Sequence, residues 1–241
     1  MDRFIIVALV VLTVASCNRF PDNGLQIAGM LPVEETCILD PSTDVRQTLG
    51  IWDVQAPFGT DPRIAQFGVT PLLENYIISR SIDIQAEQNN LQVTSLEITL
   101  QTPDGLNLVL PEALPNPYSV TASVSLPVAE DGSFSSGAAF TIGVPPSYRQ
   151  AVADAVFGAG FDQLIIRMRA KGTTMGGFTQ TSGPFFWPVT LCDGCFDICP
   201  TQQAANALTE LQIAALLSAC LPGQDGYVYC QFVPELPLVA P

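Results

Sequence analysis

Residues 119–128 read SVTASVSLPV, with Val120, Ala122, Val124, Leu126 and Val128 at every second position against Ser119, Thr121, Ser123 and Ser125. Successive side chains of an extended chain point to opposite faces, so this alternation specifies a strand with one face buried and one in water. The same period recurs downstream. Phe134, Ala138, Phe140, Ile142 and Val144 form one set, and Leu164, Ile166, Met168 and Ala170 alternate with Arg167 and Arg169. Phe185, Trp187, Val189 and Leu191 alternate with Phe186, Pro188 and Thr190.

Upstream, residues 48–55 contain Trp52 and Val54, and residues 76–86 place Ile78, Ile82, Ile84 and Ala86 on one face. In residues 91–101 the apolar set changes phase, from Leu91 and Val93 to Leu96, Ile98 and Leu100. That shift predicts a β-bulge near Thr94-Ser95, or a strand buried on both faces. Turn residues punctuate the runs at Asn89-Asn90, Pro103-Asp104-Gly105, Glu130-Asp131-Gly132 and Thr174-Met175-Gly176-Gly177. The expectation is an all-β fold: an antiparallel two-sheet sandwich of seven strands over residues 37–191, with an immunoglobulin-like topology as the default and a Greek-key barrel as the alternative. One short crossover helix is predicted in PPSYRQAVADAVFGAG, where Tyr148, Val152, Ala155 and Val156 fall at helical spacing before Gly158.

The ends of the chain differ from this body. Phe4 to Val14 is an apolar run too short to span a bilayer as a helix, and Ala15-Ser16 supplies small residues before Cys17. Residues 1–16 therefore read as a signal peptide. Val14-Ala15-Ser16-Cys17 resembles the lipobox of bacterial lipoproteins, and that resemblance implies lipid attachment and cleavage at Cys17. It also implies a protein anchored to a membrane through its N-terminal lipid, and Asn18 in place of an aspartate implies the outer membrane. Residues 17–36, with Pro, Gly and Asn and no sustained period, read as a tether.

The last segment, 192–241, opens with CDGCFDICP and continues into a helical pattern in which Leu208, Leu211, Ala215 and Ile213, Leu216, Leu217 make a broad apolar face. Apart from Cys17, six cysteines remain: Cys37, Cys192, Cys195, Cys199, Cys220 and Cys230. An even number in an exported chain reads as a disulfide framework, here a disulfide-stapled helical tail, with the pairing left open by the spacing. Zinc, iron or thiol redox chemistry is the alternative, but a single Cys-x-x-Cys offers neither the paired knuckles of zinc modules nor a βαβ context. No cofactor and no metal site is expected.

Composition narrows the function. The chain has no histidine, which excludes serine-histidine and cysteine-histidine catalysis. Its net charge is −14, and the nine bases, Lys171 and eight arginines, form no run, so no nucleic-acid partner is expected. Glu97 and Asp83, on the polar faces of their strands, are the carboxylates a glycosidase-like pair would need, yet nothing in their spacing sets them apart from solvated surface charges. Tyr227 and Tyr229 would project the same way from an extended segment and could contact a ligand, and Phe186 faces away from Trp187. The expected function is that of a non-catalytic, membrane-anchored envelope lipoprotein acting as a structural or protein-interaction module. A carbohydrate- or peptide-binding role is the alternative. In layout the chain resembles uncharacterised bacterial lipoproteins that join a lipobox to an all-β body and a cysteine-containing end.

Overall fold

The computed structural model describes residues 24–33, 38–54, 66–77, 89–128 and 133–193, together with the backbone of 197–198 and 228–229. These residues form a predominantly β structure with one α-helix. The largest sheet has the order β2-β11-β9-β5-β6, built from Gly50–Asp53, Phe185–Cys192, Gln163–Thr174, Leu91–Gln101 and Tyr118–Leu126. A short strand, β10 (Thr179–Thr181), joins β9 on the side where β11 stops. Most pairs are antiparallel. Contrary to the antiparallel expectation, β2 runs parallel to β11 at the sheet edge, because the chain crosses most of the structure between them.

Along β9, Leu164, Ile166, Met168 and Ala170 are buried and the intervening residues are not, as the alternation requires. Strand β6 behaves likewise, with Ala122, Val124 and Leu126 buried. The phase change in β5 is a bulge. Register with both neighbours shifts between Val93 and Ser95, and this keeps Leu91 and Val93 on the same buried face as Leu96, Ile98 and Leu100.

The opposing layer is smaller. Strands β3 (Phe67–Val69) and β4 (Pro71–Asn75) are separated only by Thr70, and β7 (Ser135–Ala138) and β8 (Thr141–Val144) by two residues. β4 pairs with β7 and β3 with β8, so the four segments amount to one kinked antiparallel pair, bridged at the kink by the Ala139 N–H donating to the Pro71 carbonyl. Strand β1 (Leu25–Met30) adds to the far side of β4. One hydrophobic cluster joins the layers: Leu25, Phe67, Leu73 and Val144 pack with the apolar face of the large sheet. The Trp52 and Phe67 rings meet across it with centroids 5.7 Å apart.

Four expectations are corrected here. Leu25–Met30 is a strand, so the segment read as a tether through residue 36 contributes to the folded body. The run from Phe134 to Val144 is two strands in two ladders, and its outward set is the one expected to be buried: Phe134, Phe140 and Ile142 are exposed while Ala139 and Thr141 are buried, until a register shift between Ile142 and Val144 brings Val144 inward as expected. Tyr76 and Ile77 lie beyond the end of β4, and the rest of the strand expected over 76–86 falls outside the described residues. The count of seven strands is exceeded.

The predicted helix exists as α1, Arg149–Gly158, preceded by a 3-10 turn at Pro146–Tyr148. It buries Val152, Ala153 and Val156 against the end of the structure where β9 begins. Tyr148 ties it down through a ring contact with Tyr118 at 4.7 Å and by donating to the Pro115 carbonyl at 2.8 Å.

Candidate functional site

The end opposite α1 is where β5 begins and β6 and β9 finish. There β9 and β10 form a hairpin whose loop is Met175-Gly176-Gly177. The Thr174 N–H donates to the Phe178 carbonyl at 2.9 Å, and the Gly177 N–H donates to the Thr174 carbonyl at 2.8 Å. Gly177 has φ 87°, the left-handed conformation that a three-residue hairpin loop assigns to glycine. The Phe178 N–H also donates to the Thr174 hydroxyl at 3.1 Å. This well-bonded turn presents two apolar side chains to water: Met175 is 68% and Phe178 69% exposed.

Two asparagines fasten the loops at this end. The Asn90 carbonyl accepts from the Met175 N–H at 2.9 Å, and its side-chain oxygen accepts from the Val128 N–H at 2.9 Å. Asn75, fully buried, donates from Nδ2 to the Pro127 carbonyl at 2.8 Å, while its Oδ1 accepts from the Ile77 N–H at 3.0 Å. Backbone groups that leave a sheet need partners, and here side-chain amides supply them. Phe134 stands at the same end, half exposed, with its ring 5.5 Å from Tyr76. The Tyr76 hydroxyl donates to Glu74 at 2.6 Å, and burial, reinforced by Glu74, pushes its pKa up to about 12. The phenol therefore stays neutral and acts as a donor at any ordinary pH.

Sequence reasoning missed this site. It marked Asn89-Asn90 and Thr174 to Gly177 as turns, but assigned Phe134 to the buried face. The available signal was two large apolar residues set among glycines and threonines, where no periodic core position exists.

The residues singled out from sequence fall as follows. Cys17, Cys37, Cys195, Cys199, Cys220, Cys230, Tyr227 and Asp83 lie outside the described residues. Tyr229 is described in backbone only, in β13 (Val228–Tyr229), which pairs in parallel with β12 (Asp197–Ile198). Cys192 ends β11 and is disulfide-bonded. Its sulfur lies 3.7 Å from the Trp52 carbonyl oxygen, a packing contact, since a disulfide sulfur has no proton to donate. Glu97 accepts from the Lys171 ammonium at 2.5 Å, and this bond holds its carboxyl below the usual carboxylate range. It is thus an ionised, paired surface carboxylate, poorly placed to carry a proton to a substrate. Phe186 is 55% exposed on the outer face of the large sheet.

Among the described residues, no three His, Cys, Asp or Glu side chains gather to hold a metal ion. Nor is any helix there long and apolar enough to cross a membrane. No family model, curated protein or solved structure matches the chain.

Proposed function

We propose that this chain is a non-catalytic recognition module of the cell envelope, anchored to the outer membrane by lipid on Cys17, that contacts a protein partner through the loop end of its β body. The observation that carries the reading is the hairpin tip: Met175 and Phe178 are exposed on a turn held by backbone and side-chain hydrogen bonds. Burying such a side chain contributes about 1.5–3 kcal/mol, and a rigid support reduces the ordering entropy lost on binding. Aromatic anchors of this kind dominate interface energetics.

The immunoglobulin-like arrangement belongs to the same proposal. It is supported by a large sheet in which β2 runs parallel beside β11 at the edge, and by an opposing layer made of β1, β4 and β7 with the β3-β8 pair. In that arrangement loops cluster at the two ends of the sandwich, where binding loops commonly sit. The disulfide at Cys192 supports a stapled tail, with Cys37, Cys195, Cys199, Cys220 and Cys230 as the candidates to complete it.

The test uses the full-length chain in its membrane. A photo-crosslinking residue at position 178 should give one discrete adduct, abolished by Met175→Ser and unaffected by Leu106→Ser at the other end. An adduct pattern indifferent to both would remove the loop end from the proposal. Cys17→Ala should leave unprocessed precursor, and normal cleavage with release of soluble protein would remove the anchor.

A further inference from the structure

Three of the chain's bases stand close together in the sequence, in RMRAK over residues 167–171. Arg167, Arg169 and Lys171 alternate along β9 and so share the outer face of the large sheet, at intervals of about 7 Å. Three of the chain's nine bases thus form one row in a molecule of net charge −14. Register fixes their neighbours. Phe186 of β11 lies opposite Arg167, Glu97 of β5 opposite Arg169, and Ser95 and Thr181 flank Lys171 on either side.

Glu97 is committed to Lys171. One carboxylate against three cations leaves the row with an excess of two positive charges, centred on the arginines. The Nε of Arg169 is buried and has no hydrogen-bond partner among the described residues. Among the described residues neither arginine has a carboxylate within ion-pair distance, although both feel the Glu97 charge. Beside them Phe186 lies open, continued on the same face by Pro188 and Ile165 on one side and by the hydroxyls of Ser95 and Thr181 on the other.

We infer that this face binds a short saccharide bearing carboxylate groups. Guanidinium forks match carboxylates in bidentate geometry, and the exposed ring of Phe186 suits the apolar face of a sugar ring one strand away. Hydroxyls of Ser95, Ser119 and Thr181 can serve the sugar hydroxyls. An acidic peptide fits less well: β9 is flanked along both sides, so the face offers no open strand edge to pair with a peptide backbone. A long polyanion would extend past the row into the field of the chain's 23 acids.

The experiment is calorimetric titration of the full chain with a trimer of galacturonate, a neutral galactose trimer and a glutamate-rich peptide. The uronate should bind saturably and at least about tenfold more tightly than either of the others. Arg167→Gln and Arg169→Gln should each weaken it by about tenfold, and Phe186→Ala should weaken it severalfold. Glu97→Gln, which frees Lys171 and removes the only acid of the row, should tighten binding, a gain that misfolding cannot produce. Absence of saturable uronate binding, equal affinity for the neutral trimer or the peptide, or indifference to both arginine substitutions would overturn the inference.

Discussion

Replacing Gly172 with alanine tests whether the bulge is built into the large sheet as described. Gly172 lies in β9 opposite Val93, where the β5 register shifts. A Cβ placed there would meet the Gln92 carbonyl oxygen at 2.7 Å, the Val93 Cα at 3.0 Å and the Gln92 carbonyl carbon at 3.2 Å. All three atoms are backbone of a central strand, so relief requires moving β5 itself. In an ordinary strand interior, glycine to alanine would gain about 0.5–1 kcal/mol from reduced chain entropy. Overpacking costs about 1–3 kcal/mol. The net expectation is a loss of about 1–2 kcal/mol, or about 2–8 °C in Tm for a chain of this size. Urea denaturation followed by tryptophan fluorescence, with disulfides intact, measures it. Gly158→Ala is the control: nothing lies within 4 Å of its Cβ, and it should be neutral or slightly stabilising. A Gly172→Ala protein as stable as its parent would refute the close approach of β5 and β9 at the bulge.

Asn90→Ala should cost about 1–3 kcal/mol by leaving the Val128 N–H unpaired, and hydrogen exchange should show the amides of Val128 and its neighbours losing protection while α1 is unchanged. The Glu97–Lys171 pair should contribute about 0.2–1 kcal/mol at neutral pH. Because the folded carboxyl is held below its ordinary 4.5, that contribution is complete above 4.5 and is lost as pH falls through the lowered folded value; the stability difference between parent and Glu97→Gln should close over that acid window. Trp52→Ala should cost about 3–5 kcal/mol, as for any large buried aromatic. Trp52→Phe should cost less, because it keeps an aromatic ring in the cluster and removes a buried Nε1–H that has no partner among the described residues; equal losses for the two variants would contradict that account.

Strands with one wet face were legible in the sequence, because burial on one side writes itself as a period of two. Strand β9 shows this from Leu164 to Ala170, and even the bulge in β5 was readable as a phase change. Strands that break the period were not. Strand β1 has a register shift between Ile27 and Gly29, so its buried residues Leu25 and Met30 differ in parity. Strand β4 is buried at every position and has no alternation to read. In residues 134–144 a true alternation gave the wrong face for Phe134, Phe140 and Ile142, because the small and polar Ala139 and Thr141 take the inward positions, and only the register shift before Val144 turns that residue inward. The candidate sites were hidden for a related reason: that Arg167 faces Phe186 is a property of strand register, which no single strand contains.

The central position of β9 gives its defects unusual reach. Its inward residues build the core, its outward residues form the basic row, and its last residue anchors the hairpin that carries Met175 and Phe178. Gly172 lies between Lys171 and Thr174, at the point where all three converge. A shift of the β9 backbone there moves the row and the tip together, whereas Asn90→Ala, which removes the Nδ2 contact with the Met175 sulfur at 3.9 Å and the bond to Val128, disturbs the tip alone. Gly172→Ala should therefore impair both the crosslink at position 178 and uronate binding, and Asn90→Ala only the former. If both variants affected both readouts equally, the two surfaces would have to be a single site, and β9 a passive spacer between its ends.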